Sequence, residues 1–360
     1  MATRGLLLAL LVLGACSGAY EGRSGTVFEA HVTRILGETE QVFPGAAPQL
    51  LQRVEIELDG SLYRGDRVEV GWGGRTPVNR AGLLREGDRV LVSARRADDG
   101  SRQYAIEEIV RLPSLAPIAL AAALVLLVVA RVKGLASIAG LAVSVAVFLL
   151  AIVPALQRGD DPLAATLVGA ALVLLATVYL VHGLNRKSTV ALLGTCVGLA
   201  AVAGLGALGL ELARITGLGD EELVFLAVGT SFALDMPKLV LAGIIVASLG
   251  ALVDMSVGQS STTFELASVD PRLRGRALYN SALNVGRDHI GSLVNTLALA
   301  YFGGALPLVL LLSLGNAPVV VSLNGEAIVA SLLGLIAAAG GLVLCVPATT
   351  ALAVMFVPRR

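Results

Sequence analysis

The sequence predicts a membrane protein with an N-terminal signal or lipoprotein-type segment, a small exported all-β barrel-like domain, and then an all-α polytopic bundle of about seven helices. The 360-residue chain is 56% hydrophobic and 15% charged, with a mean hydropathy of +0.81, which is too apolar for a soluble domain. Residues 20–112 have a soluble composition, whereas residues 113–360 are mostly long apolar runs. The predicted segments are therefore 1–19, 20–112 and 113–360.

The first segment, "MATRGLLLALLVLGAC", is typical of an export signal. One positive charge precedes an apolar core that is too short to span a bilayer of about 30 Å. "LGAC" at 13–16 resembles a lipobox, which makes Cys16 a candidate for lipidation. A plain signal peptide or a short uncleaved anchor remains the alternative. Each of these readings predicts that the next domain is exported.

The second segment has the pattern of half-buried strands. "TVFEAHVTRI", "QRVEIEL", "DRVEVGW" and "DRVLVSA" alternate apolar and polar residues, and Gly-Asp turns precede two of them. A five- or six-stranded barrel of the oligomer-binding or adaptor type fits this pattern. His31 is expected to be an ordinary strand residue.

The third segment contains seven apolar runs, each long enough for a helix to cross the hydrocarbon core. They lie at about 115–130, 134–156, 163–182, 189–213, 222–256, 290–314 and 326–357. Lys and Arg in alternate loops predict that the β-domain is outside and the arginine-rich loop 257–286 is inside. That alternation favours a single kinked or partly re-entrant passage of the long run 222–256 over two short crossings, which gives seven spans.

Two polar stripes occur at helical spacing near one predicted membrane face. Asp254, Gly258, Ser261 and Glu265 form the first, with Gln259 and Ser260 beside it. The second contains Asn284, Asp288, Ser292 and Asn295, flanked by Arg287, His289 and Thr296. Ionisable groups inside a membrane cost about 2.5–3.5 kcal/mol at a helix centre and are tolerated when they are paired or face water.

We expect these two stripes to form one intramembrane polar seam. Arg287 would pair with Asp254 or Glu265, and Asp288 would line a cavity. Taken singly, each residue also has a structural explanation, as a helix cap, a snorkelling side chain or a hydrogen bond between helices. Asp235 and Pro237 mark a second candidate, because a broken helix frees backbone groups that bind ions.

Two segments carry a family resemblance. "LVLAGIIVASLGALVDMSVGQSSTTFEL" at 239–266 and "NVGRDHIGSLVNTLALAYFGGALPLVLLL" at 284–312 resemble the signature segments of the YibE/F-like family of bacterial multi-pass membrane proteins. Many relatives carry paired aspartates where this chain has Val253 and Asp254, which argues against a two-carboxylate site. The resemblance implies an architecture in the bacterial inner membrane and no particular reaction. It points to residues that mostly coincide with the stripes, with Gly286 and Tyr301 in addition.

Two classes of function remain open. The first is a secondary transporter or permease for a small solute or ion, with Asp254 and Asp288 as coupling carboxylates. The second is a membrane scaffold or signalling protein whose exported domain binds an envelope protein. The sequence has no phosphate-binding loop, no HExxH motif and no metal-ligand spacing, so we expect neither cofactor nor metal. Lys plus Arg and Asp plus Glu are 27 each, which predicts no nucleic-acid partner. The oligomeric state is left open.

Overall fold

A computed structural model describes residues 20–22, 25–41, 48–59, 65–74, 77–96, 100–229, 234–314 and 318–358. The predicted signal segment and Cys16 lie outside these residues. The chain divides into two compact units, Met1–Val129 and Ala130–Arg360.

The first unit is built on an antiparallel sheet in the order β4-β3-β2-β5-β6, with β1 paired to β2. Its strands are β1 (Tyr20–Gly22), β2 (Gly25–Gln41), β3 (Gln49–Leu58), β4 (Arg67–Trp72), β5 (Arg89–Arg96) and β6 (Arg102–Ile109). Register shifts at Val32/Arg34 and Ile35/Gly37 interrupt the pairing of β2 with β3. Such bulges increase the local twist, which curls the sheet into a half-barrel.

Alternation along the strands explains the core of this unit. Val54, Ile56 and Leu58 of β3 are completely buried, while the residues between them are more exposed. They pack with buried residues of β2, β4 and β5. The barrel-like fold that the sequence predicts is present in part, as a half-barrel: β4 and β6 end the hydrogen-bonded path, and no pairing joins them among the described strands.

The tetrapeptide Gly-Asp-Arg-Val occurs twice, at 65–68 and at 87–90, and forms the same turn in both places. Gly65 and Gly87 have φ angles of 92° and 90°, a left-handed conformation that glycine adopts without a steric cost. Each glycine donates its N–H to a strand residue, Leu58 or Val32, at 3.0 and 2.8 Å respectively. The same strand residue donates back to the aspartate carbonyl that follows the glycine. Repetition of the motif therefore reflects local turn geometry.

The rest of the described chain is helical. The helices are α1 (Leu112–Val147), α2 (Val153–Gln157), α3 (Pro162–His182), α4 (Arg186–Leu212), α5 (Glu221–Gly229), α6 (Met236–Val269), α7 (Gly275–Leu314), α8 (Val319–Leu323) and α9 (Glu326–Phe356). A π-helical turn at Phe148–Ile152 joins α1 to α2. Among the described residues, six helical stretches are long and apolar enough to cross a membrane.

The first stretch, Leu112–Gln157, contains two of the apolar runs seen in the sequence. Its backbone is not helical at Arg131, where φ is 52° and ψ is −127°. The stretch is 46 residues long, and a helix of that length would measure about 70 Å, more than twice the hydrocarbon thickness. The break at Arg131 leaves segments on both sides that are long enough to span.

The run 222–256, which the sequence predicts to make a single kinked or partly re-entrant passage, consists of a short helix, α5, and the first part of a long one, α6. The nine residues of α5 are too few to cross a bilayer, and α6 begins at Met236. The carboxylate of Asp235 caps α6 by accepting from the Lys238 backbone N–H at 3.1 Å. Pro237 lies in the first helical turn, where its missing N–H costs nothing, so it starts a helix and does not kink one.

The core of the second unit lies between α4, α6 and α9, with α3 and α7 packed outside. Small residues let α4 and α9 approach closely. A Cβ added at Gly198 would lie 2.7 Å from a Leu252 methyl carbon and 3.2 Å from the Gly341 carbonyl oxygen, and one at Gly194 would overlap Thr349. Close backbone contact of this kind is the usual way to hold helices together in lipid.

Candidate functional site

A small polar cavity of the second unit has a volume of about 210 Å³. It lies where α3 ends and α4 begins, against α6 and the start of the helical segment that follows Arg131. Its polar lining residues are Lys133, His182, Asn185, Lys187, Ser188 and Ser261.

Asn185 builds this region from local interactions. Its side-chain oxygen accepts from the Ser188 backbone N–H at 3.0 Å and thereby caps α4. Its amide nitrogen donates to the His182 carbonyl oxygen at 2.7 Å. Gly183, with a φ of 78°, makes the turn between the two helices. One asparagine therefore fixes the end of α3 relative to the start of α4.

Five ionisable residues line the cavity or interact with residues that line it. Asp254 lies on the exposed face of α6, one turn before the lining residue Val257, and interacts electrostatically with His182. His182 also interacts with Lys133. Lys187 Nζ lies 3.9 Å from Glu265 Oε2. Of the first predicted stripe, Ser261 lines the cavity, and Asp254 and Glu265 are exposed on the same face of α6 beside it.

The polar residues beside this stripe face the other way. Gln259 is 2% exposed and donates to the Ala282 carbonyl oxygen at 2.9 Å and to Thr350 Oγ1 at 2.7 Å. Ser260 donates to the Lys187 carbonyl oxygen at 2.8 Å. These bonds tie α6 to α7, α9 and α4. Gln259 and Ser260 therefore form hydrogen bonds that connect helices, and they do not line the cavity.

The second predicted stripe does not meet the first. Asn284, Arg287, Asp288, His289, Asn295 and Thr296 are all exposed on α7, while the buried residues of that helix are Leu278, Ala282 and Gly286. The single seam expected from the sequence is therefore wrong, because α7 contacts the bundle with the face opposite its polar stripe.

The expected pairing of Arg287 is also wrong. Arg287 Nη1 donates to Asn284 Oδ1 at 3.0 Å, one turn back on its own helix, and Glu265 has Lys187 as its partner. Thr296 donates to the Ser292 carbonyl oxygen at 3.0 Å. Because Arg287 and Glu265 both have other partners, no ion pair joins α6 to α7 among the residues that the structure describes.

Asp235 belongs to a separate charged group at the other end of the bundle. Lys238 Nζ lies 2.6 Å from Asp161 Oδ2 and 3.4 Å from Asp235 Oδ2. The hydrogen bond from Lys238 lowers the pKa of Asp161 below its ordinary value. Asp161 caps α3, so this group links the starts of α3 and α6. It has the form of capping and ion pairing between helix ends, with no bound ion required.

Lys133, His182 and Lys187 are not among the site residues that the sequence predicts, since no repeat or spacing connects them to Asp254. A histidine that ends an otherwise apolar run was the available signal. Within the described ranges no group of three or more His, Cys, Asp or Glu residues could hold a metal ion.

The family model described as YibE/F-like protein matches residues 118–359. The chain belongs to the YibE/F-like family. The match covers most of the helical part of this YibE/F-like protein, including both segments that carry the resemblance, and leaves out its β-sheet unit. The six long apolar helices fit a multi-pass membrane protein. No curated protein and no solved structure matches the chain.

Proposed function

We propose that this YibE/F-like protein is a secondary transporter or permease, and that the cavity between α3, α4 and α6 receives its small solute or ion. The observation that carries the proposal is a polar cavity lined by Lys133, His182 and Lys187. Asp254 interacts electrostatically with His182, and Glu265 lies 3.9 Å from Lys187. Ionisable groups in such bundles are costly and typically belong to substrate or ion pathways.

Two groups at the site are available to a ligand. Asp254 accepts no hydrogen bond within the described chain, so its carboxylate is free to exchange a proton or a cation. Ser188 is 2% exposed, and its hydroxyl has no partner among the described residues. Buried polar groups are normally satisfied, which makes a water or solute in the cavity the natural partner of this hydroxyl.

Two observations support an orientation of the protein in the membrane: the charges of the loops and the grouping of the helix ends. One end of the bundle brings together the cavity residues Lys133, Lys187 and Ser261. The other end brings the Glu326 carboxylate to the loop at Thr216 and brings Lys238 to Asp161. This grouping agrees with seven crossings, if the stretch Leu112–Gln157 crosses twice, once before and once after Arg131. It supports a bacterial inner-membrane protein with the cavity facing the cytoplasm and the β-sheet unit outside.

The deciding experiment compares cells that lack the gene with cells that carry variants of it. Asp254→Asn keeps the size of the side chain and removes its charge. We expect it to reproduce the ion and solute content of the deletion strain while the protein remains in the membrane at normal level. Asp220→Asn, in the loop before α5, is the matched control and should retain the wild-type content. If Asp254→Asn matches the wild type, Asp254 is not a coupling group.

A membrane scaffold is the second candidate, and the open sheet favours it. Among the described strands, β4 and β6 end the hydrogen-bonded path and approach each other without forming a ladder. Backbone groups of an edge strand that lack a ladder are a template for strand addition by another protein. A photo-crosslinking residue in place of exposed Glu69 on β4, in the full-length protein, should then capture one discrete envelope protein. The same residue in place of Glu57 on the inner strand β3 is the control. Equal, diffuse labelling from both positions contradicts this role.

A further inference from the structure

A second and larger cavity of the helical unit lies where four long helices end. Its volume is about 620 Å³, which is in the range of sites that take small ligands. The start of α4, the end of α6, the start of α7 and the end of α9 form its walls, together with the loop between α6 and α7. We call it the helix-end cavity, and its principal lining residues are Lys187, Phe264, Arg274, Leu278 and Met355.

The lengths of the helices place this cavity at the level of the lipid headgroups. All four helices are long and apolar enough to cross a membrane. The 27 residues of α4 and the 31 residues of α9 make helices of about 40 and 47 Å, close to the thickness of a bilayer with its headgroups. The ends of these helices therefore lie among headgroups, whichever side of the membrane the cavity faces.

The charges of the helix-end cavity are positive. Among its described lining residues only Lys187 and Arg274 are charged. Two carboxylates lie near the cavity without lining it: Asp270 pairs with Arg272 at 3.0 Å, and Glu265 Oε2 is 3.9 Å from Lys187 Nζ. The second distance is too long for a hydrogen bond, so the Lys187 ammonium has N–H donors to offer to a ligand. The cavity is therefore suited to an anion.

The rest of the wall is apolar. Leu278 is 1% exposed, while Phe264 and Leu273 are half-buried. On α9 the side chain of Met355 is 73% exposed, although it is large and apolar. Such a wall offers nothing to a water-soluble anion, whereas a hydrocarbon chain loses its contact with water against it. Two cations beside an apolar wall fit an anionic amphiphile.

We propose that the helix-end cavity binds an anionic phospholipid, with its phosphate between Lys187 and Arg274 and an acyl chain on the apolar wall. Arg274 Nε donates to the Pro271 carbonyl oxygen at 3.0 Å, which holds the guanidinium at its own loop. A guanidinium matches the oxygens of a phosphate, and basic cavities between membrane helices are recurring sites for anionic headgroups. The bilayer supplies this ligand at the right depth. The site differs from the polar cavity proposed for the solute, although Lys187 lines both.

Lipid binding to the delipidated full-length protein in a neutral detergent tests the site. The probes are phosphatidylglycerol, phosphatidylcholine and inorganic phosphate, and native mass spectrometry and thermal unfolding measure their binding. Phosphatidylglycerol should bind and raise the unfolding midpoint more than phosphatidylcholine does. Arg274→Gln should weaken its binding about fivefold, while Arg274→Lys, which keeps the charge, should retain most of it. Arg276→Gln is the matched control, because Arg276 is exposed on the next turn and does not line the cavity. It should bind like the wild type.

Three results would overturn the lipid site. Equal weakening in Arg274→Gln and Arg276→Gln would mean that phosphatidylglycerol responds to the general charge of this end of the bundle. Equal binding of phosphatidylglycerol and phosphatidylcholine would mean that the two cations select no headgroup. Displacement of phosphatidylglycerol by inorganic phosphate, with the same rise of the unfolding midpoint, would assign the cations to a free anion in place of a lipid.

Discussion

Asp254 and Asp288 show how two carboxylates with similar sequence surroundings reach different environments. Both belong to a polar stripe on a long apolar helix. Asp254 lies beside the cavity and interacts electrostatically with His182, whereas Asp288 is exposed on the side of α7 opposite its buried residues. The sequence predicts that each lies on a polar line. It does not say which side of the helix the bundle covers.

Gln259 has a structural role that its position in the predicted seam did not suggest. It is the largest buried polar side chain of the bundle, and it bonds to α7 and α9 at once. We expect Gln259→Leu to lower the free energy of unfolding by about 1–3 kcal/mol, because the Ala282 carbonyl and the Thr350 hydroxyl lose a donor. Unfolding by a denaturing detergent measures the change.

Gly258→Ala is the control for this substitution. Gly258 is the preceding residue on α6, and a Cβ there meets nothing within 4 Å. Its replacement should leave the free energy of unfolding unchanged or slightly higher, since alanine favours helix. An equal loss of unfolding free energy in both variants would show that the hydrogen bonds of Gln259 between helices do not stabilise the protein.

At the scale of the element, the end of α4 carries a strained residue. Arg214 has a φ of 52°, the left-handed conformation that ends many helices and that glycine adopts most easily. The Ile215 N–H donates to the Leu210 carbonyl at 3.0 Å, and the Arg214 N–H donates to the Glu211 carbonyl at 3.2 Å. Ile215 and Leu210 are both buried in the core of the bundle. These two hydrogen bonds form the Schellman motif of a helix C-terminus, and Arg214 occupies the position that is usually glycine.

Arg214→Gly is therefore expected to stabilise the protein by about 1 kcal/mol. The midpoint of thermal unfolding in detergent should rise. Arg158→Gly is the control, since Arg158 also follows a helix but has a φ of −79°, which arginine adopts without strain. A gain in the control as large as that in Arg214→Gly would argue against strain at position 214.

The packing of α4 against α9 gives a second prediction at this scale. Gly198→Ala should cost about 1–3 kcal/mol, because its Cβ would press on Leu252, Cys345 and the carbonyl of Gly341. Gly250→Ala, at an exposed position with nothing within 4 Å, should be neutral or slightly stabilising. Denaturant titration of both variants separates glycines that pack from glycines that do not. A neutral Gly198→Ala would mean that the helices are not held by this close approach.

For the whole molecule, orientation is the property that the proposed function most depends on. Ser268 lies in the last turn of α6, within the arginine-rich region 257–286. We expect Ser268→Cys to be protected from a membrane-impermeant thiol reagent in intact cells. Asp220→Cys, at the opposite end of the bundle, should be labelled. Both should react after permeabilisation, in a chain that lacks Cys196 and Cys345. Labelling of Ser268→Cys in intact cells would place the cavity on the same side as the β-sheet unit and exclude a cytoplasmic vestibule.

The sequence by itself determined the membrane class, the long apolar helices, the β-rich unit and the family. These follow from local properties, since hydropathy depends on composition, alternation on strand geometry, and turns such as Gly65-Asp66 on single residues. The family match to residues 118–359 agrees with the resemblance read from two segments.

Only the tertiary structure decided which polar residues meet. His182 approaches Asp254 because a three-residue turn capped by Asn185 brings the end of α3 beside α6, although 72 positions separate the two residues. The α7 stripe faces away because Gly286 packs against Gln259 on the opposite side. Periodicity predicts that a helix has a polar side, but the side that packs depends on the shapes of all neighbouring helices. That information is distributed along the whole chain.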